Sequence, residues 1–351
     1  MAARAQTLGS EVAATAVRHR SVSVAHDSSW IAPAATFVAA QYLAALFVSA
    51  VVRAPEMPPT VSYMIFAAVV SFICGLFLFL KRLWQLWAEG EEEPIERLSS
   101  ETNGSAVICY LLGFQLIALQ IGALTWLKQM LPYVVPFWAD PLLAAADRIV
   151  LRTDAWRIIP ISLVHPLDVL YPFWGPVKFA VLIFMLALPS SRVKSRALLA
   201  YFMTVGLLGV IGQYALSSAG PVFYGQVVGR ADFAGLIERN AHHAPLVGVM
   251  TSYLWSDYIH HSSVIGAGIS AMPSMHVATT TWTALAVQTL WPRSRVLAWL
   301  WWAVIFLGSI ALGWHYFIDS LFAGVGAFGC WKMAPLFLWK RQLNPAIPDR
   351  L

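Results

Sequence analysis

The sequence predicts an all-α integral membrane protein with about eight transmembrane helices. Three observations predict it. Hydrophobic residues make up 59% of the chain and charged residues only 12%, a balance outside the soluble range. The apolar residues gather in runs of about twenty, the length that crosses a bilayer core as a helix. Tryptophan occurs 16 times, as expected of anchors at the membrane–water boundary. The net charge of +5 suits loops that face an anionic membrane surface, and nucleic acid explains it less well. Cys74, Cys109 and Cys330 all fall inside apolar runs. They read as small core residues without a disulfide framework.

Residues 1–30 form a polar tail with Arg4, Arg18 and Arg20. The tail has no compact apolar h-region, so it is not a secretory signal peptide. Two runs follow, 31–52 and 61–80, which read as a pair of accessory spans. Residues 81–105 read as an acidic cytoplasmic linker opened by Lys81 and Arg82, with Glu89, Glu91, Glu92 and Glu93. Asn103-Gly104-Ser105 matches a glycosylation sequon, but the topology below places it in the cytoplasm. The third span is 106–127. Residues 128–172 carry Pro132, Pro136, Pro141, Pro160 and Pro166. That segment is too broken to span and too apolar for water, so short interfacial or re-entrant helices are expected. The remaining spans are 173–188, 198–218, 274–290, 296–314 and 320–338, and residues 339–351 are a C-terminal tail. Lys178 stands inside the first of these. It either snorkels or faces a polar cavity.

Arg192, Lys194, Arg196, Arg293, Arg295, Lys340 and Arg341 occupy short loops or the C-terminus. With an even number of spans they share one side with the N-terminal tail and with Lys81 and Arg82. The positive-inside rule makes that side cytoplasmic.

Three polar motifs then meet at the other face. Ser218-Ala219-Gly220-Pro221-Val222-Phe223-Tyr224 follows a span at its outer end. Ser270-Ala271-Met272-Pro273-Ser274-Met275-His276 opens another. Pro273 suits its first turn, and Ser270 or Ser274 is its cap. A helix N-terminus of this kind favours a phosphate. Gly313-Trp314-His315-Tyr316-Phe317-Ile318-Asp319 lies between the last two spans. If the chain is helical there, His315 and Asp319 share one face. A carboxylate beside an imidazole fixes its tautomer and raises its basicity.

The chemistry such a set allows is phosphoryl transfer. His315 attacks phosphorus and Asp319 stabilises the cation that forms. His276 protonates the departing oxygen and later deprotonates the acceptor. Backbone N–H groups near Ser274 and Gly220 hold the equatorial oxygens. The scheme calls for no metal and no cofactor. His242-His243 and His260-His261 are paired in the loop 225–271, but no Cys or acidic companion stands at ligand spacing. They read as loop residues near an acceptor entrance. His165 is either part of the site or interfacial.

Pro273-Ser274-Met275-His276 followed by Gly313-Trp314-His315-Tyr316-Phe317-Ile318-Asp319 resembles the type-2 phosphatidic acid phosphatase superfamily. The likeness is greatest to its inositol phosphorylceramide synthase-like branch, the aureobasidin-resistance type. The resemblance implies a six-helix catalytic core over residues 106–338. It also implies His315 as nucleophile, Asp319 as its assistant and His276 as acid/base. Gly220, Pro221, Tyr224 and Ser274 fall at substrate-binding positions. The phosphatases carry a Lys and an Arg-Pro pair before the first motif and an Arg six residues before the nucleophile. This chain has neither, and Ser309 takes the last position. Lys178, Arg230 and Arg239 are the substitutes to test, beside Tyr224 and Ser274.

The expected activity is therefore transfer of a phospho-head group from a phospholipid to a lipid hydroxyl, through phosphohistidine, on the non-cytoplasmic face. Hydrolysis with water as acceptor is the alternative. A non-enzymatic transporter would instead place polar residues near mid-bilayer within paired repeats, and no inverted repeat is evident. An inactive lipid-binding scaffold would not need the His-His-Asp set.

Overall fold

The computed structural model describes residues 29–52, 60–260 and 264–338. The two tails, with Arg4, Arg18, Arg20, Lys340 and Arg341, and His261 lie outside the described residues. Every regular element among those described is helical, as the apolar runs predict.

Helices α1 (Ser29–Val52) and α2 (Thr60–Ala88) come first. Val61, Phe66, Phe72 and Phe77 stand exposed on α2, which is how a span facing lipid tails should look. The segment after residue 80 is not an extended linker. Helix α2 runs on to Ala88, and a short α3 (Pro94–Glu101) follows. Arg82 bonds Glu101 at 3.1 Å and Arg97 bonds the same carboxylate at 3.0 Å. These are exposed pairs, which solvent screens. Asn103, the sequon asparagine, caps the next helix by accepting the Ser105 N–H at 3.0 Å.

Helix α4 (Gly104–Val134) is longer than the 106–127 run that announced it, because Pro132 is absorbed within it. After it, α5 (Asp140–Leu151) is a short helix across the end of the bundle. The proline-rich segment departs from expectation. Its second half begins a span: α6 (Ile161–Leu170) and α7 (Trp174–Ala187) join through the 3-10 turn Tyr171–Phe173 into one rod of 27 residues. Pro166 lies inside this rod. Proline removes one N–H but leaves its preset φ compatible with helix, and neighbouring helices support such breaks in a membrane. His165 is exposed on the rod.

Helix α8 (Arg192–Met203) continues through a π-helical stretch, Thr204–Gly212, into a last turn, α9 (Gln213–Ala215). The expected loop 225–271 is largely helical: α10 (Tyr224–Val228), α11 (Ala234–His243) and α12 (Pro245–His260). The chain closes with α13 (Met275–Leu290), α14 (Arg295–Ala311) and α15 (Phe317–Phe337).

Seven helices among the described residues are long and apolar enough to cross a membrane, counting α6–α7 and α8–α9 as one each. The eighth expected span, α13, has only 16 residues, about 24 Å of rise against a core of about 30 Å. It survives because it meets little lipid. Its residues from Val277 to Ala286 are all buried among α7, α8, α14 and α15. Thr279, Thr280, Thr281 and Thr283 return their hydroxyls to carbonyls four residues back. Trp282 donates its indole N–H to the Ala197 carbonyl at 2.7 Å. A helix shielded on all sides needs neither the length nor the hydropathy of a lipid-facing one.

Candidate active site

The ends of α9 and α14 and the starts of α13 and α15 gather at one end of the bundle. The reactive groups lie there because α13 starts where it does. Ser274 is the N-cap: its hydroxyl accepts the Val277 N–H at 3.3 Å. Pro273 therefore precedes the cap and is not in the first helical turn. Ser270, the other candidate cap, makes no side-chain hydrogen bond. Gly209 and Gly212 in the π-helical stretch let this corner approach, since a Cβ on Gly212 would stand 2.7 Å from the Pro273 ring. His276 is then the second residue of α13, with its ring at the mouth of the helix.

His315 does not share a helix face with Asp319. It precedes α15, whose N-cap is Tyr316, while Asp319 sits in that helix's first turn. The short connection still brings them together. His315 Nδ1 lies 3.0 Å from Asp319 Oδ2 and 3.0 Å from the Ala271 carbonyl. Both are acceptors, so Nδ1 carries the proton. Nε2 is then an unprotonated lone pair, and it faces His276 Nδ1 at 3.0 Å. The other oxygen of Asp319 accepts the Ser274 N–H at 2.6 Å. One carboxylate thus ties the two histidine motifs together. His315 is 4% exposed and Asp319 fully buried, where such bonds are strong.

The segment 218–224 commits the N–H groups of Ala219, Gly220, Val222 and Phe223 within the protein. The Ser218 carbonyl accepts the Ala271 N–H at 2.7 Å, and its hydroxyl accepts that of Met272 at 3.0 Å. Val222 N–H donates to the Gly313 carbonyl at 2.9 Å. The segment clamps the other two motifs. The N–H groups of Ala219 and Gly220 both donate to Asp140, which also accepts the Tyr316 hydroxyl at 2.7 Å. Gly220 and Ser274 therefore have their own N–H groups engaged within the protein, which leaves only neighbouring N–H groups for a phosphate. Tyr224 likewise packs in a buried cluster with Phe233, Trp156 and Tyr316, and Pro221 is buried beside it in the wall.

Gly220 has φ +96°, and a Cβ there would stand 2.6 Å from the Trp314 carbonyl oxygen. Gly220→Ala combines left-handed strain with a backbone clash, about 3 kcal/mol together. The expected result is a melting temperature several degrees lower and displacement of His315, read by thermal unfolding of the purified variant.

Asp140 and Asp147 carried no signal in the sequence beyond an Asp-Pro pair at 140–141 and one acid in an amphipathic stretch. Asp147 accepts the N–H groups of Phe317 at 2.8 Å and Ile318 at 2.9 Å, holding the start of α15 from below. Burial pushes its carboxyl up to about 6, and those two N–H bonds act the other way. Burial likewise raises Asp140 against its three hydrogen bonds. A raised folded pKa means the native state binds a proton that the unfolded state has already released. Stability therefore falls as pH rises from about 4 to 6 and is level above. Melting curves across that range should show the fall, and Asp147→Asn should flatten it.

The proposed phosphate-binding arginines are committed elsewhere. Arg239 donates to the carbonyls of Trp156 and Ala311. Arg230 pairs with Asp232 at 2.9 Å. Lys178 is different. It is 7% exposed, with its ammonium 4.2 Å from the centre of the Trp174 ring. That ring in turn touches His276, centroid to centroid 4.3 Å, and Tyr171 stands against the same imidazole at 5.0 Å. Of the paired histidines, His242 and His260 are exposed at helix ends, and His260 bonds the Ser256 carbonyl. No group of three His, Cys, Asp or Glu able to hold a metal occurs among the described residues.

Residues 158–330 match the family model of the PAP2 superfamily, whose members are phosphoesterases or phosphotransferases. The match opens just before α6 and closes within α15. It contains all three motifs and leaves α4, which the sequence reading counted in the core, outside. No curated protein and no solved structure gives a significant match to the chain.

Proposed function

We propose that this chain is a membrane phosphotransferase of the inositol phosphorylceramide synthase type, which moves a phospho-head group from a phospholipid to a lipid hydroxyl. The observation that carries the reading is the order of groups along one line. Asp319 Oδ2 stands on one side of the His315 ring, and His276 stands on the other, 3.0 Å from Nε2.

In the first half-reaction phosphorus enters between the two rings, which separate to admit it. His315 Nε2 bonds to phosphorus while the bond to the departing oxygen breaks and takes its electron pair with it. His276, which takes up a second proton as the anionic phosphoester arrives beside it, gives that oxygen a proton. Asp319 holds the positive charge that develops on His315. In the second half-reaction His276 takes the proton of the acceptor hydroxyl. Its oxygen bonds to phosphorus, and the N–P bond breaks back to His315.

Hydrolysis would run through the same intermediate. Transfer is favoured by the setting of His276, where the aromatic rings of Tyr171 and Trp174 stand against the imidazole. An apolar wall of this kind admits a lipid hydroxyl more readily than bulk water. In this reading the histidines face the non-cytoplasmic side: Arg192 and Arg295 open α8 and α14, and the positive-inside rule favours the cytoplasm for such arginines.

The test is purified protein in bilayers with a head-group-labelled phospholipid and a lipid alcohol. Transfer yields a new labelled lipid; hydrolysis releases water-soluble label in proportion to lost donor. Neither product, under a range of donors, would remove the enzyme reading.

A further inference from the structure

Lys178 and Lys128 are set differently from the other cations at this end of the bundle. Arg148 pairs with Asp154 and Asp232, Arg230 with Asp232, and Arg157 with Asp154. Arg239 is spent on two carbonyls. Lys178 has no carboxylate or hydrogen-bond partner among the described residues, only the faces of Trp174 and Phe179. It lies within a membrane-spanning rod and is buried. Lys128, on α4, is half-buried and equally without a carboxylate partner among the described residues, its stem packed beside Gly268 in the strand of chain that leads into α13. Lys178 and His276 lie against the same indole, that of Trp174, and the charges of both lysines also bear on the imidazole. They approach it from different helices, α7 and α4.

An ammonium inside a membrane bundle without a counter-ion is costly, and the ring of Trp174 offsets only part of that. Two such cations at one end of the bundle favour an anion. Resting on the phosphoryl-transfer reading above, we propose that Lys178 and Lys128 hold the non-bridging oxygens of the lipid phosphoester while His315 attacks. They stand in for the Lys and Arg missing from the first and third motifs. Lysine suits the task as a compact charge on a flexible stem that can follow oxygens as phosphorus moves. The single indole of Trp174, in contact with both Lys178 and His276, sets their spacing.

The test uses full-length protein in nanodiscs, with orthovanadate and inorganic phosphate as probes and binding read by calorimetry. Lys178→Met and Lys128→Met should each weaken orthovanadate by about tenfold or more, the loss of one charged contact, and Lys178→Arg should retain most of the affinity. The ligand-free melting temperature of the Met variants should be unchanged or higher, because an unpaired buried charge has been removed. Short-chain phosphatidic acid should displace orthovanadate at lower concentration than inorganic phosphate does; the reverse order overturns the lipid assignment. Unchanged vanadate affinity in the double variant overturns the proposal, as does a wild-type protein that binds neither probe. A lowered melting temperature with vanadate affinity intact would make Lys178 a packing residue and equally overturn it. The two readings fail separately. Lysine-dependent vanadate binding without any phosphohistidine would leave the anion site and sink the transfer reading. Full turnover in the double variant would do the opposite.

Discussion

His315→Ala is expected to abolish turnover, with a loss of at least about 10⁴-fold in kcat/KM, the scale seen when a nucleophile is removed. The geometry explains why no neighbour can substitute. His276 is the other imidazole at hand, but it has no carboxylate: its contacts are His315, Tyr171 and Trp174. Nothing there fixes a tautomer or carries a developing positive charge. Incubation with head-group-unlabelled, phosphorus-labelled donor should leave acid-labile, base-stable label on the wild-type protein and none on His315→Ala. His276→Ala should still accept label, about 10²- to 10⁴-fold more slowly, since it removes the proton donor and not the bond-forming atom. Label on His315→Ala at the wild-type level would show that the nucleophile lies elsewhere.

Asp319→Asn should cost about 10³- to 10⁴-fold, although the two side chains have the same shape. Each oxygen of Asp319 accepts an N–H, one from Ser274 and one from His315. An amide has one acceptor oxygen. If that oxygen stays with Ser274, the new NH₂ faces His315 Nδ1 and forces the imidazole proton to Nε2. The lone pair that should attack phosphorus is then gone. If the amide turns, the first turn of α13 loses its tie to α15. Single-turnover phosphorylation measured beside thermal unfolding separates the two cases. The first gives a slow, stable enzyme and the second a less stable one. Activity within tenfold of wild type would mean that Asp319 only braces the fold.

The spans were legible because a bilayer imposes one simple demand, about twenty apolar residues in a row. Where the structure departs from that reading, local cues were outweighed by packing. Pro160 and Pro166 looked like breaks, yet Pro166 lies inside the rod that begins at Ile161. The charged residues after Leu80 gave no sign of helix, yet they continue α2 to Ala88 and form α3, with Arg82 and Arg97 both bonded to Glu101. The reactive residues were legible for a different reason. A histidine and an acid at a helix start, and a proline-serine cap before another histidine, are short-range patterns whose chemistry needs only a few neighbouring residues.

By itself the sequence determined the membrane and the helical class, and it singled out His276, His315 and Asp319 as candidates, since each follows from side-chain type and spacing within one stretch. Only the tertiary structure decided what surrounds them. That Asp319 ties both motifs, that Gly220 and Ser274 have spent their donors, and that Asp140 and Asp147 brace the turns all depend on contacts between distant helices. So does the placement of Lys178 and Lys128 beside one imidazole. Such contacts are set by how close two helices pack and at what depth each one starts, quantities that no local pattern of residues encodes.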